Sequence, residues 1–570
     1  MLVMLDAIDL KFKNENGLWE KLIEEKEPRI TFQNVVLENF GLSDDLYIKM
    51  NARGKPLTSF ENFKSQFEKY IEEKKFEEKI TNPEEKFAHK IDTVWTDLFW
   101  KYREIQEDVK ESEKKDEQNN NNEQKDREDQ KNNVYNIDNK IIKFIAGAAI
   151  NYYAEKREII INRETAEIVR NRLYEKGKTK TVSDDAVKNE MINQRIGQLM
   201  DTPEEIIPED FPTKSAFQYL TDCFNKYSEK QDDKYKYTEL KPCLSLWNYL
   251  NESLNSLFKD FIKYSANPQY KPRVLFYAQT VYLLKNKNVD ETAFSEWMRV
   301  SRNIVENSTI DQVSSFNSAI RLINELSNGC GNIYAYLAKE KVSEGHAKDQ
   351  VKEETEKAKI INADIKNKIL LHKTEELKFC KGRIYFALYC IDYDIDKNHK
   401  VSDFNYDKLE KIYNVFIEYF SGKNVDNDFR RALFTIGNNN FYHYWISSRL
   451  WAIPAPKRAI ITDVKDLKDN FTYKWKNKYN IFFIDYLKEL ILKLTEKDIK
   501  TIIIDYKSTA AFKDDLRNWK KRIIEEENLL EGCKDHYMAV KEDDSCCWLI
   551  REGNRVAVDN NWRKKVIEVK

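Results

Sequence analysis

The chain reads as α+β, mainly α, and three observations carry that reading. It holds 14 Gly and 11 Pro in 570 residues, yet 34% of it is charged and 13% aromatic. That balance suits long amphipathic helices better than a sandwich or a barrel, which need frequent turns. From residue 137 onward, apolar residues recur at helical spacing in one stretch after another. β-prone runs are few, two in the first 100 residues and two near the C-terminus. A chain of 570 residues exceeds one ordinary core and implies two or three domains. The expected division is a domain over 1–103, a linker over 104–135, a helical domain over 136–400 and a C-terminal helical domain over 401–570.

In chain order, residues 1–26 carry Leu2, Leu5, Ile8 and Leu10, then Trp19, Leu22 and Ile23, and predict one amphipathic helix. Ile30-Thr31-Phe32 and Val35-Val36-Leu37 predict a strand within 29–40, and the loosely alternating run from Leu46 to Met50 a second. Residues 51–56 then pack turn chemistry and two cations into one loop. Gly54 permits a backbone closed to other residues, and Pro56 stops the strand from running on. Thr58 with Glu61 three residues later is a capping box, so a helix starts there. Its buried face is Phe60, Phe63, Phe67, Tyr70 and Ile71. A third helix follows from about Pro83, burying Phe87, Ile91, Trp95, Leu98 and Phe99.

Residues 104–133 are almost free of large apolar side chains, and 118–124 is a run of Asn, Gln and Glu. Burial cannot offset the entropy of ordering such a segment, so it reads as a disordered linker. Beyond it, helices are expected over 141–153, 165–174, 186–200, 215–227, 244–264, 274–284, 294–306, 310–326, 406–420, 482–494 and 514–530. Cys547–Ile550 and residues 555–558, with Gly553-Asn554 between them, predict a terminal β-hairpin.

The net charge of −2 sets up no global field, so any nucleic-acid contact must be a local patch. The eight Cys are scattered, without a C-x-x-C, and the only close pair is vicinal Cys546-Cys547. Free thiols in a reducing cytoplasm, and no structural metal, follow from that pattern. Asp6 and Asp9 interrupt the first apolar run, which a signal peptide would need unbroken. Residues 141–154 contain Lys143 and are too short to span a bilayer, so no membrane partner and a cytoplasmic location are expected.

A strand, a basic glycine loop and a capped helix, in that order, form a candidate phosphate site. The helix dipole and free N–H groups favour an anion, with Arg53 and Lys55 beside them. The run from Tyr47 through Met50-Asn51-Ala52-Arg53-Gly54-Lys55-Pro56-Leu57-Thr58 to Lys64 resembles the end of the GmrSD-type restriction endonuclease N-terminal domain. That is a ParB/sulfiredoxin-like nucleotidase family of bacterial anti-phage and modified-DNA restriction systems. Further segments are similar to the same family: 91–100, Trp297-Met298-Arg299-Val300-Ser301-Arg302-Asn303, 350–358, Phe379-Cys380-Lys381-Gly382-Arg383-Ile384 and 429–437.

The resemblance implies a partial ParB/sulfiredoxin-like α/β domain followed by a long helical domain. It implies a component of a restriction system in which NTP hydrolysis is coupled to DNA cleavage. Asn51, Arg53, Gly54, Lys55 and Thr58 would contribute to binding nucleotide phosphate, with Mg2+ as the companion of the nucleoside triphosphate. DNA and a nuclease subunit are the implied partners. The family's Asp-Gly-Gln-Gln-Arg signature does not occur, its nearest lookalike being Asn193-Gln194-Arg195 in a helical context. The expectation is therefore a chain that starts inside the family domain, with catalytic residues unassigned and an upstream segment as a further partner. The six His are isolated and none stands in a His-x-x-Pro setting, so the HNH nuclease module of many relatives is absent.

Two alternatives stand beside this reading. One is a non-enzymatic helical interaction protein or decayed fragment. The other is a metal-dependent nuclease: Ile502-Ile503-Ile504-Asp505-Tyr506-Lys507 reads as a strand, on which Asp505 would hold a divalent cation and Lys507 position water, or else as an isolated strand or helix start with solvated charges. Aromatic residues 441–445 and the Arg430-Arg431 pair are weaker nucleic-acid candidates. Glu353 and Lys357 read as an i,i+4 pair on a solvated helix face.

Overall fold

The computed structural model describes residues 2–12, 57–103, 137–177, 182–240, 256–263, 270–395, 397, 400–422, 426–436, 478–530, 538–540, 545, 547–550 and 566–569. The protein is mainly helical and divides into two compact units. The first comprises Met1–Leu240 with Asn255–Pro268, the second Lys241–Leu254 with Gln269–Lys570. The predicted strands at 29–40 and 46–50 and the linker at 104–135 fall outside the described residues.

In the first unit, α1 is Leu2–Phe12, where the sequence predicts a helix over 1–26; residues 13–26 lie outside the description. α2 (Ser59–Glu73) begins where expected, and Phe60, Phe63, Phe67, Tyr70 and Ile71 are all buried. The helix predicted from Pro83 is instead a short 3-10 turn followed by α3 (Phe87–Asp92) and α4 (Val94–Trp100). The break lies at Thr93, whose hydroxyl donates to the His89 carbonyl at 2.8 Å, while Thr96 donates to that of Ile91. Hydroxyls that return to nearby carbonyls compete with helix continuation. The predicted apolar set is nonetheless buried on both pieces.

The apolar run too short for a bilayer lies within α5 (Ile137–Lys156), which is buried along most of its length. The aromatic residues of α2 to α4 pack with α5 and with α8 (Lys214–Ser228), which follows α6 (Arg163–Gly177) and α7 (Asp184–Asp201). Phe67 meets Phe87 edge-on at 5.1 Å, Trp95 stacks on Phe224 at 4.7 Å, and Phe99 meets Phe144 at 5.7 Å. Each such side chain contributes roughly 1.5–3 kcal/mol by burial. Residues on either side of 104–136 thus share one core, where the sequence places a domain boundary. A two-stranded ribbon, β1 (Lys230–Gln231) with β2 (Lys234–Tyr235), and α9 (Leu257–Lys263) complete the described part of this unit.

The second unit runs through α10 (Tyr270–Lys285), α11 (Glu291–Glu306), α12 (Val313–Leu326), α13 (Ile333–Lys339), α14 (Lys348–Ala363), α15 (Lys366–Glu376) and α16 (Tyr385–Cys390). It continues with α17 (Tyr406–Phe420), α18 (Asn427–Leu433), α19 (Lys478–Leu494), α20 (Ile499–Ser508), α21 (Ala510–Lys513) and α22 (Asn518–Glu525). The helix predicted over 514–530 is broken by Asp515, which takes the Arg517 N–H at 3.0 Å and its guanidinium at 2.7 Å. At the C-terminus β4 (Cys547–Ile550) is confirmed, but as the middle of a three-stranded antiparallel sheet. Its neighbours are β3 (Met538–Val540) and β5 (Val566–Val569), while 555–558 lies outside the description. Among the described residues no helix is long and apolar enough to cross a membrane.

Candidate functional site

Of the expected phosphate-binding residues, Asn51, Arg53, Gly54 and Lys55 lie outside the described residues. Thr58 is the N-cap of α2. Its hydroxyl accepts the Glu61 N–H at 3.2 Å, and the Glu61 carboxylate accepts the Thr58 N–H at 2.8 Å. Both halves of the predicted capping box are therefore formed. The same hydroxyl donates to Asp138 on α5 at 2.8 Å, joining the start of α2 to the central helix of its unit.

The expected strand at 502–507 is part of α20. Asp498 caps that helix by accepting the Thr501 N–H at 2.8 Å, and Ile499, Ile502 and Ile503 form its buried stripe. Asp505 and Lys507, two apart on a helix, point to well-separated directions. Asp505 pairs with Lys497 at 2.6 Å, on the exposed side. The strand geometry needed to bring Asp505 and Lys507 to one metal is absent. Arg431 is buried and donates to the Ile524 carbonyl at the end of α22, the shorter contact being 2.6 Å, so it caps a helix rather than facing phosphate. Arg195 of the signature lookalike holds buried Asp210 through two contacts, the shorter 2.6 Å, and Tyr153 donates to that carboxylate as well.

The concentration of chemistry lies in the second unit, where residues 297–303, 350–358 and 379–384 meet. Glu353 and Lys357 are 1% exposed, so the solvated-face expectation is overturned. α14 also buries Gln350 and Glu354, because its charged side is covered by α11, α15 and the turn 377–384. Lys357 Nζ donates to Glu354 at 2.5 Å, to Glu375 at 2.8 Å and to the Gly382 carbonyl at 3.2 Å, with Glu353 at 3.4 Å. Arg299 reaches Glu375 at 3.1 Å and Glu376 at 2.7 Å, and Arg302 reaches Glu376 at 2.9 Å. Glu353 accepts the N–H groups of Ile384 and Tyr385 at 2.7 and 3.1 Å, capping α16.

Gly382 is the geometric centre of the turn. Its φ of +84° suits glycine, and a Cβ there would sit 2.5 Å from the Asn303 Oδ1. Its N–H donates to the Glu375 carbonyl at 2.9 Å. Beside the network, His372 and Tyr334 share a hydrogen bond of 2.8 Å.

Burial disfavours every charge here, and the neighbours decide the outcome. Burial, reinforced by Glu375 and Glu353 against the pull of Lys357, pushes Glu354 up to about 8. Burial alone would raise Glu375 too, but Lys357 and Arg299 overcome it and hold the carboxyl down to about 2. Burial opposes the charge of Lys357, yet the surrounding glutamates keep it above its ordinary value. Burial lowers His372 to about 4, so the imidazole is neutral. A lysine held charged is no amine nucleophile, and the network's internal bonds make it a structural charge store rather than an open reaction centre.

Arg299, Arg302, Glu375, Glu376 and His372 are the members that sequence reasoning did not single out individually. The available signal was two arginines on α11 among Trp297, Met298, Val300, Ile304 and Val305, apolar residues on nearly every side. Cations so placed require buried carboxylates. The chain matches no protein-family model, no curated protein and no solved structure.

Proposed function

We propose that this chain is a component of a GmrSD-like restriction system and that residues 51–55 bind nucleotide phosphate. The single supporting observation is the capped helix α2, which begins just after that loop with the predicted capping box and buried face. Arg53 and Lys55 supply the charge, Gly54 allows the close backbone approach, and Asn51 shapes the turn. Thr58 acts by fixing the start of the helix, since its hydroxyl is engaged by Glu61 and Asp138. A ParB/sulfiredoxin-like arrangement of the N-terminal region belongs to this proposal, as do DNA and a nuclease subunit as partners. Binding, rather than hydrolysis, is the activity proposed for these residues.

Calorimetric titration of the full chain with a nucleoside triphosphate and Mg2+ tests the reading. Arg53→Ala should weaken binding by roughly 1.5–3 kcal/mol, the worth of a hydrogen bond to a charged group. Equal affinity of wild type and variant would sink the assignment.

A further inference from the structure

The buried network carries an arithmetic that its contacts make explicit. Three cations, Arg299, Arg302 and Lys357, face four carboxyls, Glu353, Glu354, Glu375 and Glu376. An uncompensated charge is costly in such an interior, so one carboxyl is best held as the acid. Glu375 is bonded by Lys357 and Arg299, and Glu376 by Arg299 and Arg302. Glu353 takes two backbone N–H groups besides its approach to Lys357. Glu354 is met by one cation, which it shares with two other glutamates, and by the neutral amide of Gln350.

The same two donors serve a second acceptor. Gln350 Nε2 lies 2.9 Å from Glu354 and 3.3 Å from the Gly382 carbonyl; Lys357 Nζ lies 2.5 Å from Glu354 and 3.2 Å from that carbonyl. With two amide protons on Gln350 and three on Lys357, both donors bridge Glu354 and the turn at once, so the charge on Glu354 sets how they are shared. From this geometry we infer that the turn 377–384 is a proton-controlled latch, closed while Glu354 is protonated and loosened when it ionises. A full negative charge on Glu354 attracts both donors more strongly than a neutral acid does, at the expense of the longer bonds to Gly382. It also leaves four carboxylates facing three cations, one negative charge uncompensated beside Glu375, and admitting water through the turn relieves both effects.

The groups that tune the step come from every element around Glu354. α11 supplies Arg299 and Arg302, α13 Tyr334, and α14 itself Glu353 and Lys357. α15 supplies His372, Glu375 and Glu376, and the turn side Arg383 and Tyr385. Arg383 is only partly buried and makes no ion pair with the four carboxyls, so it stands outside the count. The upward push of burial on Glu354 puts the transition at about 8.

The test is hydrogen exchange of the full chain by mass spectrometry at about pH 7 and about pH 9, corrected for the intrinsic base dependence. With the open form titrating as an ordinary carboxyl, exchange across the turn should accelerate about tenfold in the wild type. Glu354→Gln, which keeps a neutral hydrogen-bonding group at all these pH values, should remove the acceleration. Equal acceleration in both proteins, or none in the wild type, would overturn the latch. An infrared pH titration of the wild type decides the matter even if the variant does not fold. It should show a protonated-carboxyl C=O band at about pH 7 that disappears on the alkaline side, and its absence at about pH 7 would equally overturn the inference.

Discussion

Gly382 is held on several sides at once in the second unit. It combines a positive φ, the carbonyl that accepts from Gln350 and Lys357, and a Cα that looks straight onto Asn303. An alanine there would strain the backbone and force Asn303 to move, because the added carbon would also lie 3.2 Å from the Asn303 Cα. We expect Gly382→Ala to destabilise the unit by about 1–3 kcal/mol in urea unfolding, the usual cost of a residue held in a region it rarely visits. Gly345→Ala is the matched control: its Cβ would meet only the flexible end of Lys348, at 3.5 Å, and no positive φ is involved. Equal losses in the two variants would show that Gly382 is not special.

Elements divide by how far their deciding contacts reach along the chain. The start of α2 was legible because the Thr58 and Glu61 partnership spans three residues, and its aromatic face because helical periodicity is local. The run in α20 reads as either a strand or a helix start because a short apolar run has no period of its own; the deciding signal was Asp498, three residues before Thr501. The ionic network was beyond sequence reasoning for a different reason. Arg299 meets Glu375 and Glu376 at separations of 76 and 77 residues, and spacing within one helix cannot name such partners. The pattern showed arginines embedded in an apolar helix, not what neutralises them. At this scale Thr58→Ala removes a helix cap and the bond to Asp138 together. Its cost should exceed the ~1 kcal/mol of an ordinary cap. Thermal unfolding of Thr58→Ala and Asp138→Asn should reveal coupling between the two sites; strictly additive losses would show the hydroxyl bond to be inconsequential.

For the whole molecule, the two units should answer pH differently, because the strongly displaced carboxyls and the displaced histidines lie in the second. Glu354 titrates above its unfolded value, so its contribution to stability is complete below about 4.5 and is lost as pH rises through about 8. Glu375 titrates below its unfolded value, so its contribution is present above about 4.5 and is lost as pH falls through about 2. His372, lowered to about 4 by burial, adds stability above about 6.5 that is lost on acidification; His346 is lowered by burial in the same direction. The acid losses and the alkaline loss leave the second unit most stable near neutrality. In the first unit burial raises Glu68 and Glu77 from the ordinary carboxyl value, while Glu239 is lowered because Lys259 and Tyr102 outweigh its burial. Between about pH 7 and about pH 9, hydrogen exchange should therefore find α14 to α16 losing protection while α5 keeps it, once intrinsic rates are removed. Equal loosening of α5 over that interval would mean that the alkaline response belongs to the chain as a whole and not to the buried glutamates of the second unit.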